Sequence, residues 1–278
     1  MRVQRTLIVF ILLVANIFVW LHAFPSHALT VSFLDIGQGD SILIIGPTGV
    51  EVLVDGGADR AVLRELGKQM SFFDRSLDAV VETHPDKDHI GGLTDVFERY
   101  DVSYFLEPGI PNETSATRSL LSAVKKEGAQ DVLARRGMRL DLGGGAYARI
   151  LFPDRDVSDV ETNTGSIVMQ VVYGENEFLL TGDSPISIEK YLVSLGVQEL
   201  ESDVLKAGHH GSRTSTSDEY LDAVKPKYVI FSRGCDNSYG HPHEEVVQKV
   251  QKRSIPILDT CESGTISFQS DGRTLIQK

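Results

Sequence analysis

Six of the eight histidines fall in three short motifs, each following a run of residues typical of a β-strand. The motifs are THPDKDHIGG, KAGHHGS and YGHPH, over residues 83–92, 206–212 and 239–243. Histidines scattered through a core would not concentrate in this way. Any fold for this chain must therefore contain several strands that end in histidine-bearing turns.

From Leu29 onward, short β-rich runs are separated by glycine- and proline-containing turns. The first runs form a predicted meander, and a second strand-rich stretch begins at Ser166. Strands alternating with helices follow each stretch, and no low-complexity linker interrupts residues 29–278. This order predicts one α/β domain in which two sheets pack together with helices outside.

Helices are predicted over residues 61–70, 90–100, 186–195 and 244–253, from apolar spacing and from capping residues. Further helices are expected to begin after Thr114 or Ser115 and after Ser217. The region 102–153 is predicted as strand, helix and strand, with a turn at residues 143–145.

Net charge limits the class of partner. The chain carries 27 Lys and Arg against 39 Asp and Glu, a formal charge of -12. Such a charge repels polyanions at long range and argues against a broad electrostatic surface for DNA. Any nucleic acid must therefore be bound locally.

Residues 1–28 form a separate segment. Arg2 and Arg5 precede an apolar run over residues 7–24, and no further Lys or Arg occurs before Arg60. That asymmetry predicts an N-terminal apolar helix with its start in the cytoplasm and the domain exported. A run of about 18 residues suits an uncleaved membrane anchor. Cleavage after Ala28, as in a signal peptide, is the alternative and would release a secreted domain.

The strongest local pattern is the cluster HPDKDH. It places four potential ligands within six residues, between a strand and a helix: His84, Asp86, Asp88 and His89. Alternating residues of a tight turn can point to a common centre, and the glycines that follow allow the helix to approach closely. A solvated polar loop, or a helix cap formed by Asp88, is the alternative interpretation.

Two further strand ends carry groups of the same kind. Asp183 follows the apolar run LLTG, where a carboxylate is able to bridge two cations or to serve as an ordinary turn residue. His209 and His210 end another strand. Adjacent histidines there favour function, because a second imidazole would otherwise need its own hydrogen bonds.

Together, THPDKDHIGG, LLTGD and VLKAGHHGSRTST, preceded by FLDIGQGDSILI and followed by NSYGHPH, resemble the metallo-β-lactamase-fold domain of ComEC-type DNA-uptake proteins. The likeness extends over residues 29–278. It implies an αββα sandwich, with two mixed β-sheets packed face to face and helices outside. It also implies a binuclear metal site that hydrolyses phosphodiesters, with degradation of the DNA strand that is not taken up as the proposed role.

The resemblance assigns six ligands: His84 and Asp86 to one metal, Asp88, His89 and His210 to the second, and Asp183 to both. His209 is then expected to contact phosphate, although which of the two adjacent histidines is the ligand stays open. Asp86 replaces a histidine of the commonest superfamily cluster. No histidine lies between His89 and His209 either, where the superfamily usually supplies one. The nearest polar match is Asn163 with Ser166, so a weak, water-rich or substrate-recruited first metal is expected.

Three carboxylates and few imidazoles favour harder cations than a histidine-rich site does. Two divalent ions are expected, with zinc as the first choice and manganese as the second. Asp88 is expected to orient the attacking water. Four residues are candidates for holding developing negative charge: Lys206, Ser212, Thr214 and His241. The alternatives are a surface charge for Lys206, turn residues for Ser212 and Thr214, and an orienting role for His241. Asp40 and Asp55 are expected to shape loops.

The leading functional hypothesis is a membrane-anchored, extracytoplasmic, metal-dependent phosphodiesterase or nuclease. No second long apolar run follows residue 28, so a DNA-uptake channel would be a separate protein. Other substrates within the hypothesis are teichoic or phosphocholine phosphodiesters. Hydrolysis of a lactam or thioester, or a degenerate metal-binding module, are the alternatives from other classes.

Cys235 and Cys261 are predicted to form a disulfide. They follow the strands YVIFS and PILDT, which a single helix joins. Such a unit usually sets its strands parallel and often adjacent, about 4.8 Å apart. That spacing is within the Cα separation of roughly 4.4–6.8 Å that a disulfide spans, and export supplies the oxidant. Two free thiols are the alternative.

Overall fold

Fifteen short strands form the centre of the domain in the computed structural model, which describes residues 28–278. Their bounds are Leu29–Phe33 (β1), Ile42–Ile45 (β2), Glu51–Val54 (β3), Ser76–Val81 (β4), Asp101–Glu107 (β5), Gln130–Leu133 (β6), Arg139–Gly143 (β7), Ala146–Phe152 (β8), Val168–Tyr173 (β9), Asn176–Leu180 (β10), Val204–Lys206 (β11), Tyr228–Phe231 (β12), Ile257–Asp259 (β13), Ile266–Ser270 (β14) and Leu275–Gln277 (β15).

The strands make two mixed sheets. The first has eight strands in the order β15-β14-β1-β2-β3-β4-β5-β6, and the second has seven in the order β13-β12-β11-β10-β9-β8-β7. In each sheet one half is antiparallel and the other half is parallel, from β3 to β6 and from β10 to β13. The predicted pair of mixed sheets is thus confirmed.

Eight α-helices cover these sheets in the described part of the chain. Their bounds are Ala61–Gln69 (α1), Lys87–Ile90 (α2), Leu93–Phe97 (α3), Ser115–Glu127 (α4), Ile186–Leu195 (α5), Asp218–Val224 (α6), Glu244–Lys252 (α7) and Thr260–Ser263 (α8). Thr114 and Ser217 cap α4 and α6 as predicted, each side-chain oxygen accepting a hydrogen bond from the backbone N–H three residues later.

Apolar side chains fill three layers. The inner faces of both sheets meet in one buried cluster, in which the ring of Phe268 packs edge-on against Phe33 and Phe178 at centroid distances of 6.4 and 6.1 Å. A second cluster joins the first sheet to α1, α3 and α4, and a third joins the second sheet to α5, α6 and α7. Burial of these faces produces the expected αββα sandwich.

Several predicted elements differ from the structure. The helix expected over residues 90–100 is two short helices, α2 and α3. They are separated at Gly91 and Gly92, where the backbone packs so closely that a Cβ on Gly92 would lie 2.2 Å from the Gly56 carbonyl oxygen. The region 102–153 contains the further strands β6 and β7, and the final hairpin of β14 and β15 was not predicted. β6, β7 and β15 are short and have few buried side chains, so their apolar patterns are weak.

Parallel strands of both sheets end at one edge of the sandwich, which we call the carboxyl-end edge. Asp55 follows β3, His84 follows β4, Asp183 follows β10 and Lys206 ends β11. The opposite side, where β1 and β3 begin, is the amino-end edge. Within residues 28–278 no helix has the length and apolar character needed to cross a membrane. The predicted N-terminal apolar helix lies outside the described residues.

Candidate metal centre

Three imidazoles meet at the carboxyl-end edge beneath the surface. The ring centroids of His84 and His89 are 4.1 Å apart, and those of His89 and His210 are 5.3 Å apart. All three side chains are at most 1% exposed. The structure therefore brings the HPDKDH and GHHG motifs to one buried position.

The carboxylate of Asp183 lies at the centre of the histidines. Its Oδ2 atom is 3.3 Å from Nε2 of His89, 3.4 Å from Nε2 of His210 and 3.6 Å from Nε2 of His209. Nε2 of His84 is slightly farther, at 4.0 Å. One carboxylate oxygen surrounded by imidazole nitrogens is the arrangement that a bridging ligand requires.

Asp86 and Asp88 extend the group on two sides. Oδ2 of Asp86 is 3.7 Å from Nε2 of His84, whereas Oδ2 of Asp88 is 3.4 Å from Nε2 of His210. Their side chains are 37% and 30% exposed, so both face the open side of the site. Carboxylate oxygens and imidazole nitrogens therefore surround two neighbouring positions at which a metal could bind.

The donor atoms fit divalent cations. Nε2 of each of His84, His89 and His210 is buried and has no hydrogen-bond partner. Such an orphan atom is costly unless something binds it. Two sets of possible ligand atoms, each within 4.8 Å of one another, are present here: His84, His89 and Asp183, and Asp88, His89 and His210.

The other ring nitrogen of each histidine is held by the protein. Nδ1 of His89 donates to Oδ2 of Asp55 at 2.8 Å, and Nδ1 of His210 donates to the Ser232 carbonyl at 2.9 Å. Nδ1 of His84 lies 3.1 Å from Oγ1 of Thr83. Contacts of this kind fix the ring orientation and direct Nε2 toward a metal.

Asp55 and Asp40, which were expected only to shape loops, are part of this centre. Asp55 is fully buried and also accepts hydrogen bonds from the backbone N–H and hydroxyl of Thr83, at 2.8 and 2.7 Å. Asp40 is 1% exposed, and its Oδ1 lies 3.3 Å from Nδ1 of His210. Sequence reasoning gave both only a role in loop shape. For each, the available signal was an aspartate that directly borders an apolar strand-forming run.

Lys206 is buried rather than exposed, so its interpretation as a surface charge is wrong. Its Nζ atom donates to the Gly182 carbonyl at 2.9 Å and lies 2.5 Å from Oδ2 of Asp40 and 3.4 Å from Oδ1 of Asp183. Burial alone would lower the pKa of Lys206, but Asp40 and Asp183 raise it. The ammonium is thus directed at the floor of the centre, where protein oxygens surround it.

His209 is the more exposed of the adjacent histidines, with 27% of its side chain open to solvent. Its Nδ1 lies 3.1 Å from Oγ1 of Thr214, whose hydroxyl in turn donates to Oγ of Ser212 at 3.0 Å. Ser212 and Thr214 therefore connect to the centre through His209. Both histidines have positive φ, 50° and 54°, which presents consecutive side chains to the same site.

His241 borders this group. Its ring centroid is 5.4 Å from that of His209, and Tyr239 stacks against it at 5.6 Å. Burial, aided by the neighbouring His209, lowers the pKa of His241 to about 4. The side chain is therefore neutral near pH 7.

Asn163 and Ser166 lie just before β9. Oδ1 of Asn163 and Oγ of Ser166 are buried without a hydrogen-bond partner. Ser166 packs beside the turn before Asp183. A Cβ atom added to Gly182 would lie 3.2 Å from the Cβ atom of Ser166. These residues occupy the side of the centre next to Asp183.

The charges of the centre are strongly coupled. Burial lowers the pKa of His84 well below its usual value, which keeps it neutral. Burial would raise the pKa of Asp183, but His210, His89 and Lys206 hold it well below its usual range. A neutral His84 beside an ionised Asp183 is the form in which both bind cations. By contrast, Asp183 outweighs burial and raises the pKa values of His89 and His210, so a metal must displace a proton from each of these two rings.

Cys235 and Cys261 are joined near this site. The structure places their sulfur atoms 2.02 Å apart and their Cα atoms 5.0 Å apart. The preceding strands β12 and β13 are adjacent and parallel, with Phe231 opposite Asp259. The predicted strand arrangement is confirmed, and the loop that begins at Cys235 leads to His241.

The sandwich and its strand-end cluster of imidazoles and carboxylates define a metal-dependent hydrolase fold. The family model of the metallo-beta-lactamase superfamily matches residues 34–234. The chain belongs to the metallo-beta-lactamase superfamily.

Two relatives of the chain have competence-related names. ComE operon protein 3 of Bacillus subtilis is 31% identical over 261 residues, which are 87% of this chain and 33% of that protein. Competence protein ComA of Neisseria gonorrhoeae is 32% identical over 249 residues, 88% of this chain and 33% of that protein. The chain therefore spans about a third of the length of these relatives.

Solved structures agree on the fold. Igni18, a metallo hydrolase from Ignicoccus hospitalis, superposes with a TM-score of 0.56 at 16% identity, covering 87% of this chain and 98% of that one. YhfI, a metallo-beta-lactamase fold protein from Bacillus subtilis, gives 0.53 at 12% identity, covering 83% and 95%. At these identities the likeness concerns the fold alone.

Proposed function

We propose that this domain is a metal-dependent phosphodiesterase that cleaves DNA with two divalent cations. The observation that carries the proposal is the set of three buried, unpartnered Nε2 atoms around Oδ2 of Asp183. His84 and Asp86 would hold one cation, and Asp88, His89 and His210 the second, with Asp183 shared. The competence-related names of its relatives favour DNA as the substrate.

When bound, the two cations supply Lewis acidity that lowers the pKa of water and neutralises phosphoryl oxygens. Asp88, on the open side beside His210, is placed to orient the attacking water. A phosphate oxygen beside the partly exposed side chain of His209 would favour its protonated form, which donates from Nε2 to that oxygen and from Nδ1 to Oγ1 of Thr214. Attack of the water on phosphorus would form a new P–O bond and break the bond to the leaving oxygen, which takes up the proton released by the water and departs as an alcohol. His241, whose ring borders that of His209, is a candidate for holding the negative charge that develops on the phosphoryl group.

Lys206 has a positioning role in this scheme rather than a direct contact with substrate. Its Nζ neutralises Asp40 and the Oδ1 side of Asp183, which leaves Oδ2 of Asp183 facing the imidazoles. Ser212 supports Thr214. Asn163 and Ser166 stay proposed substrate-binding residues, because Oδ1 of Asn163 and Oγ of Ser166 are buried without a hydrogen-bond partner. Zinc is the first expected metal, and manganese is the second because carboxylates, which make up half of the proposed ligands, favour harder cations.

A second candidate is a small phosphodiester that carries a cationic group, such as a phosphocholine ester. A cavity of about 520 Å³ lies beside the HPDKDH loop, and Asn112 in its wall donates to the Pro85 carbonyl at 3.0 Å. Four acidic residues line this cavity: Glu82, Glu107, Glu113 and Asp131. Acidic walls favour a cationic substituent over an extended polyanion.

We also propose that the domain is extracytoplasmic and held at a membrane by residues 1–28, or secreted after cleavage behind Ala28. The support is the charge asymmetry around the apolar run 7–24. A separate channel protein would be its partner in DNA uptake. Cell fractionation with protease added outside tests the location, and recovery of the protein in the soluble cytoplasm would refute it.

The activity is tested on the full chain supplied with Zn²⁺ or Mn²⁺. Single- and double-stranded DNA, a chromogenic phosphodiester, a chromogenic phosphocholine ester and a chromogenic lactam are compared. We expect DNA and the phosphodiester to be cleaved, whereas turnover of the lactam alone would overturn the proposal. Asp88→Asn should abolish the activity and retain the fold, and the exposed Asp101→Asn serves as its matched control.

A further inference from the structure

Two adjacent phenylalanines point into solvent in the loop between α1 and β4. Phe72 is 77% exposed and Phe73 is 89% exposed, the highest values among the large apolar residues that the structure describes. Their rings contact each other edge-on, with centroids 5.2 Å apart. Exposed apolar side chains that stand together, rather than singly, mark an interaction surface.

The loop holds both rings outward. The Asp74 backbone N–H donates to the Ser71 carbonyl at 2.9 Å, which closes a turn with the phenylalanines at its two central positions. The Asp74 carboxylate accepts hydrogen bonds from the backbone N–H and hydroxyl of Ser76, at 3.1 and 2.8 Å. The turn is therefore tied to the start of β4 and projects two rings from a fixed base.

Strand register places this turn at the amino-end edge. Thr30 of β1 is opposite Ile45 of β2, which is opposite Glu51 of β3. The Glu51 backbone N–H donates to Oδ2 of Asp78 in β4, at 2.8 Å. The turn immediately precedes β4, so it lies beyond the same ends of the strands at which β1 begins.

The metal centre lies at the other ends of the same strands. Asp55 follows β3 and His84 follows β4, and both are part of the centre. The start of β1 and the Phe72–Phe73 turn are thus on one side of the sandwich, and the proposed active site is on the opposite side.

The chain that leads into β1 is apolar. Residues 7–24 contain no charged residue, and only four residues separate them from Leu29. Four residues in extended form span at most about 14 Å, so only a short stretch of chain connects the end of the apolar run to the amino-end edge. The environment around the end of the apolar run therefore also borders the side of the domain from which the rings of Phe72 and Phe73 project.

We propose that the Phe72–Phe73 turn inserts into the surface of the lipid bilayer beside the N-terminal segment, so that the metal centre faces away from the membrane. This inference rests on the membrane attachment proposed above and is independent of the phosphodiesterase activity. Apolar side chains such as phenylalanine bury at the boundary between headgroups and acyl chains. The net charge of -12 favours zwitterionic over anionic lipid as the partner.

Depth-dependent quenching tests the orientation. The full chain is reconstituted in phosphatidylcholine vesicles that contain a lipid with a nitroxide near the top of its acyl chain. A fluorophore is attached through Ser71→Cys, beside the rings, or through Asp159→Cys, an exposed position after β8 on the metal side. We expect several-fold stronger quenching at position 71 than at position 159.

Matched variants identify the contribution of the rings. Phe72→Ser with Phe73→Ser, in the Ser71→Cys background, should remove most of the quenching while the chain still floats with the vesicles. Tyr239→Ser, which removes another exposed ring at the metal side, should leave it unchanged.

Equal quenching at positions 71 and 159, or no quenching at 71 in a chain that floats, overturns the inference and leaves membrane attachment standing. A full chain that fails to float overturns attachment and this inference together. Neither result bears on cleavage of DNA, which is measured separately.

Discussion

Oδ2 of Asp55 accepts a hydrogen bond from Nδ1 of His89 at 2.8 Å, and His89 is the histidine whose ring belongs to both sets of possible metal ligands. The same carboxylate also holds the backbone and hydroxyl of Thr83. One buried aspartate therefore orients an imidazole at the centre of the proposed metal site.

Asp55→Asn should weaken metal binding about 10- to 100-fold, because the ring of His89 loses the carboxylate that orients it. Competition with a chromogenic chelator measures the affinity. Asp35→Asn is the matched control, since that side chain is partly exposed and follows β1 on the outside of the centre. Equal affinities for the two variants would contradict the role assigned to Asp55.

Lys206→Met should lower the free energy of unfolding of the metal-free protein by about 3–5 kcal/mol. The substitution leaves Asp40 and Asp183 buried without their cation. Urea denaturation measures the loss, and added divalent metal should recover part of it. Lys227→Met removes an ion pair of similar length, 2.7 Å to Asp203, from an exposed lysine and should cost less than about 1 kcal/mol.

Glu51 makes stability depend on pH. Burial, with Asp74 and Asp78 nearby, raises the pKa of Glu51 from 4.5 to about 7. The folded chain then binds this proton more tightly than the unfolded chain, so the contribution of Glu51 to stability falls as pH rises from about 4.5 to about 7. Glu51→Gln should gain stability relative to wild type over that interval.

Thermal denaturation at pH 5 and pH 8, in chelator, measures the effect. Glu113→Gln, at an exposed position, is the control and should retain the wild-type difference between the two pH values. If Glu51→Gln shows the same difference in thermal stability between pH 5 and pH 8 as wild type, the Glu51 carboxyl has the same pKa in the folded and unfolded states and the prediction is wrong.

The bond between Cys235 and Cys261 closes a loop of 26 residues. In the chain-entropy model a loop of that size contributes about 3 kcal/mol to stability. Denatured, unreduced protein made under oxidising conditions should contain no reactive thiol, and Cys261→Ser should unfold at lower urea concentration. Two reactive thiols in folded, oxidised material would mean that the pairing is wrong.

Motifs with several chemical groups in a short span predicted the outline of the site. Residues 84–89 and 209–210 lie at strand ends, so local pattern and strand direction together indicated where they would meet. Asp40 was not predicted as part of the centre because its contacts are with Lys206 and His210, more than 160 residues away. Local sequence showed that Asp40 borders an apolar strand-forming run, but not which distant side chains it would contact.

The restriction to local sequence also explains which secondary-structure elements were predicted and which were not. Helices with strong caps, such as those after Thr114 and Ser217, were predicted because the cap and the apolar face are local. β6 and β7 were missed because each has few buried side chains, and their stability depends on neighbouring strands.

The pairing of β1 with β14 has a consequence for how the molecule assembles. Ser32 and Ser267, whose hydroxyls are 2.8 Å apart across this pair, are separated by 235 residues of sequence. During synthesis β1 and β2 emerge early, yet the other edge of β1 stays unpaired until nearly the whole domain has been made. Closing so long a loop is slow, so this sheet should mature late and be most prone to intermolecular strand pairing while translation is still under way.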